Sequence, residues 1–350
     1  MKALIVLAAC LATFLAIFAG SARAQSVEIT LADHGLSIGN SRRFTGLRIN
    51  AVDSGVERVR GLNLSLWNPG ENRDALYEGI ALGLIGTKAR RIEGIALSGI
   101  GVNARERVRG IAAGALGVGA GRLEGVAGGL VMVDIREHTR GIAAGGFWTG
   151  ECERFDGLAL SLGSASAKNL RGAAIGGLGA VGLRSLSGLA LSPGGFYSAH
   201  LRGIGLGGVG GGGEELRGAF ASGLFIGTRN LDGVACTLGG IGGETLDGIM
   251  LAGLGVGASE RIRGVALGGL LSFAPEVRGI AAGGLNGLYI DRIDLEDFLH
   301  FNLANRRFVG LSIGIVNYTA RLRGVQLGLV NYAGNNPRWL RLLPLINLHL

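Results

Sequence analysis

The stretch Arg263–Leu285 reads RGVALGGLLSFAPEV and then RGIAAGGL, so that one short phrase occurs twice in succession. Each copy contains a charged residue, a glycine, a branched apolar residue, an alanine, a second apolar residue and another glycine. The phrase recurs, with small variations, from position 46 to the end of the chain. A fixed short period of this kind is typical of repeat architectures.

The glycine that follows the charged residue is the marker glycine of each repeat, and other positions are numbered from it. From Gly79 to Gly279 successive marker glycines are always 15 or 16 residues apart. The marker glycines are Gly46, Gly61, Gly79, Gly94, Gly110, Gly125, Gly141, Gly157, Gly172, Gly188, Gly203, Gly218, Gly233, Gly248, Gly264, Gly279, Gly310 and Gly324.

Composition narrows the class of protein that such repeats can build. Glycine makes up 67 of the 350 residues, which is almost three times its ordinary share. Only 5 residues are proline and no strict Gly-X-Y period exists, so the chain is not collagen-like. The hydrophobic content of 48% argues against disorder. Glycine mixed with valine, isoleucine, leucine and alanine favours closely approached strands.

Apolar residues occupy fixed positions within each repeat. Large ones recur at positions −2, +1, +3 and +6 and often at +8, whereas position +2 is usually alanine. These steps of two and three fit neither one flat strand nor a helix. They fit a coil with short sides and sharp corners, so the sequence predicts an all-β triangular solenoid. We expect Val265, Leu267 and Leu270 to face the interior, and Ala266 and Gly268 to face outward.

An antiparallel transmembrane β-barrel of about 20 short strands, serving as a pore or channel, is the alternative architecture. The mean hydropathy of +0.39 and the scarcity of polar residues outside turns favour it. The low aromatic content of 6% disfavours it, because barrels carry aromatic girdles. The charged residue before the marker glycine separates the two architectures. In a solenoid these residues lie along one ridge, whereas in a barrel they divide between two rims.

The N-terminal residues 1–24 have the pattern of a signal peptide. Lys2 is followed by an apolar run over Ala3–Gly20 and by the small-x-small site Ala22–Ala24. This pattern predicts an exported protein. The rest of the chain divides into an N-terminal cap over 25–45, Gly-rich repeats over 46–285, a degenerate repeat or loop over 286–309, and last repeats with a C-terminal capping strand over 310–350.

The degenerate segment holds the most acidic and aromatic stretch of the chain, DRIDLEDFLHFNL at Asp291–Leu303. It lacks the ligand spacing of a calcium loop. Its departure from the repeat makes it a reasonable place to look for specific binding.

Charge does not point to a nucleic-acid partner. The net charge is +8, from 34 basic and 26 acidic residues, and falls to +6 once Lys2 and Arg23 are removed with the signal peptide. The basic excess is spread thinly. The charged residues before the marker glycines carry both signs, so we interpret them as an exposed ladder of ion pairs. A binding stripe for an anionic polymer is the functional alternative.

Reactive side chains form no recognisable constellation. The 5 histidines show no metal-ligand spacing, and the chain lacks the HExxH, CxxC and Walker patterns. The GxSxG spacing occurs twice as GLSIG, at Gly35–Gly39 and Gly310–Gly314, without the strand–turn–helix setting of a nucleophile elbow. Cys152 and Cys236 are not expected to form a disulfide, because they lie far apart in different repeats. We expect no catalytic residue, no cofactor, no metal site and no small-molecule substrate, and therefore no enzyme.

The cleanest repeats lie at Gly310–Tyr318 and Gly324–Tyr332, and we expect Asn317 and Asn331 at turns. The run Val325–Asn331, VQLGLVN, resembles a bacterial surface-repeat family in which Gly, apolar, Gln, apolar, Gly, apolar, Val and Asn follow one another. The resemblance is confined to the C-terminal segment, since upstream repeats carry alanine in place of the glutamine. It implies export to the bacterial cell envelope and implies no catalytic residues.

The sequence therefore predicts a non-enzymatic, exported structural or interaction protein of the cell envelope. Its location would be the outer membrane, the cell surface or the periplasm. Its partners would be envelope components, outer-membrane lipid or another copy of the chain, since a contiguous apolar face normally means association.

Overall fold

The computed structural model describes residues 26–31, 34–67, 69–70, 72–287 and 306–350. The predicted signal peptide and the stretch Asp291–Leu303 lie outside the described residues. The chain forms two compact units, Met1–Leu162 and Gly163–Leu350. The described part of each unit is built from β-strands, with a single 3-10 turn at Arg338–Leu340 in the second.

The first unit is a stack of parallel coils that begins with one antiparallel pair. Its strands are β1 (Ser26–Leu31), β2 (His34–Gly39), β3 (Arg43–Asn50), β4 (Arg58–Ser65), β5 (Leu76–Gly83), β6 (Gly86–Ser98), β7 (Gly101–Gly114), β8 (Gly117–Gly129), β9 (Met132–Gly145) and β10 (Trp148–Ser161). Strand β1 pairs antiparallel with β2. From β2 to β10 each strand pairs in parallel with the next.

The second unit repeats this arrangement and ends with an antiparallel strand. Its strands are β11 (Ser164–Gly176), β12 (Gly179–Ser192), β13 (Gly195–Gly207), β14 (Gly210–Ser222), β15 (Phe225–Thr237), β16 (Gly240–Ala252), β17 (Gly255–Gly268), β18 (Leu271–Phe273), β19 (Glu276–Ala282), β20 (Leu285–Asn286), β21 (Arg307–Ile313), β22 (Val316–Thr319), β23 (Leu322–Ala333) and β24 (Leu342–His349). Strands β11 to β23 pair in parallel, and β24 pairs antiparallel with β23.

Parallel pairing decides between the two predicted architectures in favour of the β-solenoid. Within each unit the marker glycine of one coil lies opposite the marker glycine of the next, as Gly203 does opposite Gly218. The charged residues before them lie side by side as well. Arg60 is opposite Glu78, and Glu78 is opposite Glu93. These residues follow one ridge, as expected for a solenoid.

The marker glycine is required by backbone conformation and by space. All eighteen marker glycines have φ between 110° and 143°, a region that side chains of L-residues strongly disfavour. A Cβ atom at Gly203 would also collide with the carbonyl oxygen of Gly188 in the preceding coil. The marker glycine therefore recurs once per coil, at the place where the backbones of successive coils are in contact.

The predicted inside–outside assignment at positions +1 to +6 is wrong. Leu267 is 38% exposed and Leu270 is 59% exposed, and Val265 is only half-buried. Ala266 is fully buried and Gly268 is buried too. Large apolar residues therefore lie outside at these positions, and alanine and glycine lie inside.

The large residue at position −2 determines which face of each strand points inward. Leu186 and Leu201 at that position are fully buried, and so are the counterparts in other coils. Successive side chains of a strand alternate between faces, so positions −2, +2 and +4 point inward and −1, +1 and +3 point outward. One large side chain from position −2 fills the narrow interior, and close packing leaves room opposite it for alanine.

Candidate interaction surface

The outer side of each unit carries apolar ladders. At position +1 of the first unit, branched residues lie directly opposite one another from coil to coil. They are Ile80, Ile95, Ile111, Val126, Ile142 and Leu158. Because the strand alternates, all of them point away from the interior, and four of the six are at least 38% exposed.

A second apolar row follows at positions +5 and +6, where each coil turns. In the first unit its members are between 47% and 80% exposed: Leu84, Ile100, Leu116, Leu130, Phe147 and Leu162. The second unit repeats the row with Leu178, Val209, Leu224, Leu238, Leu254 and Leu270. We call the +1, +3 and +5/+6 residues of a unit its outer apolar face. A contiguous exposed apolar surface of this kind marks a site of association.

An apolar groove runs along this face in the first unit. Its volume is about 750 Å³. The groove exists because position +3 holds the small residues Ala113, Gly128 and Ala144 in three successive coils, whereas the coil before them carries Leu97. Leu130 of the second row also lines it. The outer apolar face of the first unit therefore contains a concave groove as well as exposed hydrophobic side chains.

The charged residues occupy a different stretch of each coil and pair across coils. Arg122 Nε lies 2.7 Å from Glu137 Oε2, and Arg107 Nη2 lies 3.0 Å from Glu93 Oε1. In the second unit Arg229 Nε lies 3.5 Å from Glu244 Oε1. These pairs mostly join residues three or four positions before the marker glycine. Among the residues directly before it, Arg60 Nε lies 2.5 Å from Glu78 Oε2 and Arg109 Nε lies 4.0 Å from Glu124 Oε2, so the predicted ladder of ion pairs at that position is confirmed only in part. We call this stretch the charged ridge.

Ion pairing on the charged ridge shifts the pKa values of paired side chains. Hydrogen bonds from Arg58 are the main cause that lowers the pKa of Glu78, and Arg60 adds to it. The same contact raises the pKa of Arg58. All three side chains remain open to solvent, so their attraction is screened and contributes weakly to stability. The ridge gives each coil one side that is charged and exposed to solvent.

A buried polar cluster lies inside the first coils. Arg48 takes the interior +2 position and is fully buried. Its Nη1 donates to Asp53 Oδ1 at 2.5 Å and to Asn63 Oδ1 at 2.6 Å. Tyr77 donates its hydroxyl to Asp53 Oδ2 at 2.9 Å, and Asn50 donates to Asp53 Oδ1 at 3.0 Å. The acidic and basic groups thus satisfy each other within the stack.

The electrostatics of this cluster confirm that the charges are compensated. Burial alone would raise the pKa of Asp53, but the Arg48 guanidinium and the amides of Asn50 and Asn63 outweigh it and lower the pKa. Burial, and then the Asp53 charge, raises the pKa of Tyr77 well above its usual value. An ionised Asp53 beside a neutral Tyr77 is the stable arrangement. The sequence carried no signal for this cluster, because its members belong to three repeats.

An asparagine ladder fills the interior of the last coils. Asn286 Nδ2 donates to Asn317 Oδ1 at 2.8 Å, and Asn317 Nδ2 donates to Asn331 Oδ1 at 2.7 Å. All three side chains are buried. The expectation that Asn317 and Asn331 sit at turns is wrong, since both lie in strands with their amides inside. Their common position, +7, in successive repeats was the signal for a ladder.

The two cysteines among the described residues are free thiols, with Cys152 buried and Cys236 exposed. Burial raises the pKa of the Cys152 thiol. Among the residues that the structure describes, no group of three His, Cys, Asp or Glu side chains could hold a metal ion. The same part of the chain has no helix of the length and hydrophobicity needed to cross a bilayer.

Comparison of the chain with protein-family models, with curated proteins and with solved structures finds no match. Two surfaces of the described residues then carry the functional argument. One is the outer apolar face, and the other is a groove in the first unit that basic side chains line.

Proposed function

We propose that this is a non-enzymatic structural or interaction protein of the bacterial cell envelope, exported by a signal peptide in residues 1–24. A β-solenoid built from repeats fits a structural or interaction role, since each coil adds surface of the same kind. The observation that carries the proposal is the outer apolar face. Its ladders of exposed isoleucine and leucine have the character of an interface. The surface-repeat resemblance at Val325–Asn331 supports the envelope.

The partner that this face fits best is a second copy of the chain. Coils follow one another at the spacing of paired strands, about 4.8 Å. Two faces with the same spacing can interdigitate over their full length, as two packed sheets do at a separation of about 10 Å. A lipid surface is less suitable, because it favours aromatic residues at its boundary. Aromatic residues make up only 6% of this chain.

The burial free energy that the face offers is of the same order as the cost of such an association. Burying the still exposed part of a large aliphatic side chain contributes roughly 1 kcal/mol. The row that contains Leu116 and Leu130 offers six such side chains in the first unit, and the +1 ladder lies beside it. Their sum is on the order of 10 kcal/mol, comparable with the cost of bringing two molecules together, about 4–15 kcal/mol.

Light scattering after size-exclusion chromatography of residues 25–350 tests the self-association. We expect a dimer or larger assembly at micromolar concentration. The double variant Leu116→Asp/Leu130→Asp should become monomeric and keep the circular dichroism of the parent. The matched control Arg122→Asp/Glu137→Arg, on the charged ridge, should keep the assembly. A parent protein that stays monomeric, or that binds lipid vesicles through this face instead, contradicts the choice of partner.

Fractionation of cells that express the full chain tests export. We expect the full-length product in the envelope fractions, and a version without residues 1–24 in the cytosol. Recovery of the full-length product from the cytosol would reject the envelope location, whatever the oligomeric state of the purified protein.

A further inference from the structure

The first unit has a second groove, on the stretch of the coils that follows position +8. Its volume is about 480 Å³, and its lining is a mixture of polar and apolar surface. Lys88, Arg105 and Arg136 line it together with Asn103 and Asp134. We call it the basic groove. Its volume exceeds what a single inorganic oxyanion needs and falls within the range of small-molecule sites.

The coil that begins at Gly110 opens the basic groove, because it lacks side chains there. Its position +9 is Gly119, where the neighbouring coils carry Asn103 and Asp134. Its position +11 is Gly121. The guanidinium of Arg136 reaches across this coil to the carbonyl oxygen of Arg105, at 3.4 Å. Arg136 thereby spans the gap to the backbone of a coil that is not adjacent to its own.

The cations of this groove differ from those of the charged ridge. On the ridge Arg91, Arg107 and Arg122 each have a glutamate oxygen within 3.0 Å. By contrast, no carboxylate of the described residues lies within ion-pair distance of Lys88 or Arg105. The same holds for Arg136, whose hydrogen bond goes to a backbone oxygen.

The balance of charge in the groove favours an anion. Lys88, Arg105 and Arg136 line it, and Asp134 is the one carboxylate among its described lining residues. Cationic groups held together around one concavity attract an anion, because each adds to the same local potential. Guanidinium groups suit carboxylate and phosphate oxygens in particular, since their N–H groups match the geometry of these anions.

The remaining polar groups favour hydroxyl groups beside that anion. Asp134 offers carboxylate oxygens, which accept hydrogen bonds from hydroxyls, and Asn103 offers an exposed amide that can donate and accept. We propose that the basic groove binds a saccharide unit that carries a carboxylate or a phosphate group. Arg105, Arg136 and Lys88 hold the anionic group, and Asp134 and Asn103 hold the hydroxyls. This inference does not depend on the cellular location or on self-association.

Isothermal titration calorimetry of residues 25–350 tests the proposal with four probes. They are trigalacturonate, glucose 1-phosphate, inorganic phosphate and the neutral sugar maltotriose. We expect one of the two anionic sugars to bind at least 10-fold more tightly than inorganic phosphate, and maltotriose not to bind. The better of the two anionic sugars identifies the anionic group. If neither binds, or if inorganic phosphate binds as tightly as both, the proposal is wrong.

Variants of the groove test whether binding depends on its particular side chains or only on the general positive charge of the protein. Arg105→Gln/Arg136→Gln should weaken binding of the sugar at least 10-fold. Gly119→Gln fills the groove without a change of charge, and it is sterically tolerable because a Cβ atom there meets Asn103 Nδ2 at 3.4 Å. It should abolish binding of the sugar and keep the circular dichroism of the parent.

The matched control is Arg91→Gln/Arg122→Gln, which removes the same charge from the ridge. It should change affinity less than 2-fold. Equal loss in this control and in the groove variant, or full binding by a folded Gly119→Gln protein, would overturn the assignment of the site.

Discussion

The middle coils and the terminal coils share one backbone but differ in what they bury at position +2. In the middle, Ala190 and Ala266 face a large aliphatic residue from position −2. In the first coils the same position holds Arg48 and Asn63, and near the C-terminus it holds Gln326. The fold therefore does not require an apolar interior. It accepts buried polar side chains when most of their polar atoms are hydrogen-bonded, although Gln326 Oε1 has no partner among the described residues.

The feature common to both kinds of coil gives the largest expected effect. Gly203→Val introduces a β-branched residue at φ +131° and against the backbone of the preceding coil. We expect a loss of more than about 4 kcal/mol, enough to prevent folding of the second unit. Circular dichroism and urea unfolding measure it.

The control for this variant is Gly227→Ala, in strand β15. A Cβ atom there meets nothing within 4 Å, so unfolding should shift little. Similar losses at both glycines would mean that the marker position is not special.

The next prediction concerns the middle coils and the corrected inside–outside assignment. Ala266→Asp places an unpaired carboxylate in the apolar interior and should cost about 3–5 kcal/mol. Leu267→Asp, one residue later, points outward and should cost about 1 kcal/mol or less. Urea unfolding of the two variants measures the difference. A reversed order would restore the assignment predicted from the sequence.

In the first coils, removing a buried charge, rather than adding one, should destabilise the fold. In the parent the pKa of Asp53 is lowered by folding. Its contribution is therefore present above the unfolded pKa, near 3.8, and is lost as pH falls through the lower folded pKa. Arg48→Met removes the main compensating charge, so burial should raise the folded pKa of Asp53.

The variant should then lose stability as pH rises from 4 to 7, whereas Asp53 in the parent loses its contribution only in strong acid. At pH 7 the loss should be about 3 kcal/mol, since an uncompensated charge remains inside. Thermal unfolding across this pH range measures both slopes. The same slope in parent and variant would mean that Arg48 does not control the ionisation of Asp53.

The asparagine ladder should give the smallest effect of the four. Asn317→Ala leaves the Oδ1 of Asn331 without its partner and removes one of the two acceptors of Asn286 Nδ2, which keeps the carbonyl oxygen of Ile313. Such a loss costs about 1–3 kcal/mol. The exposed Asn103→Ala has no hydrogen bond to lose and should change stability by less than about 0.5 kcal/mol. Urea midpoints compare the two. An equal, small shift in both would show that the ladder is redundant.

The sequence predicted the solenoid because its period is enforced locally. The marker glycine is needed in every coil, so its spacing is visible without any knowledge of contacts. The phase of Leu267 could not be read in the same way. Both faces of the strand are apolar here, so the rule that places large residues inside chose the wrong face. Only the fully buried residue at −2, together with strand alternation, fixes it.

The candidate sites were less accessible to sequence reasoning. The basic groove depends on glycines, Gly119 and Gly121, between charged residues of different coils, and absence of a side chain is a weak signal in a glycine-rich chain. The Arg48–Asp53 pair joins residues that are five apart, but its burial depends on Asn63 and Tyr77 from later repeats. Tertiary partners, not local pattern, define both places.

The contact between successive marker glycines also has a consequence for how such a protein changes in length. Gly188, Gly203 and Gly218 are interchangeable, because each presents the same backbone to the coil before and the coil after. Removal of residues 203–217 would bring Gly218 onto Gly188 with the register intact. We therefore expect duplication or loss of one repeat in the gene to be tolerated in the middle, but not in the coils of Arg48 and Asn331, whose side chains are tied to particular neighbours.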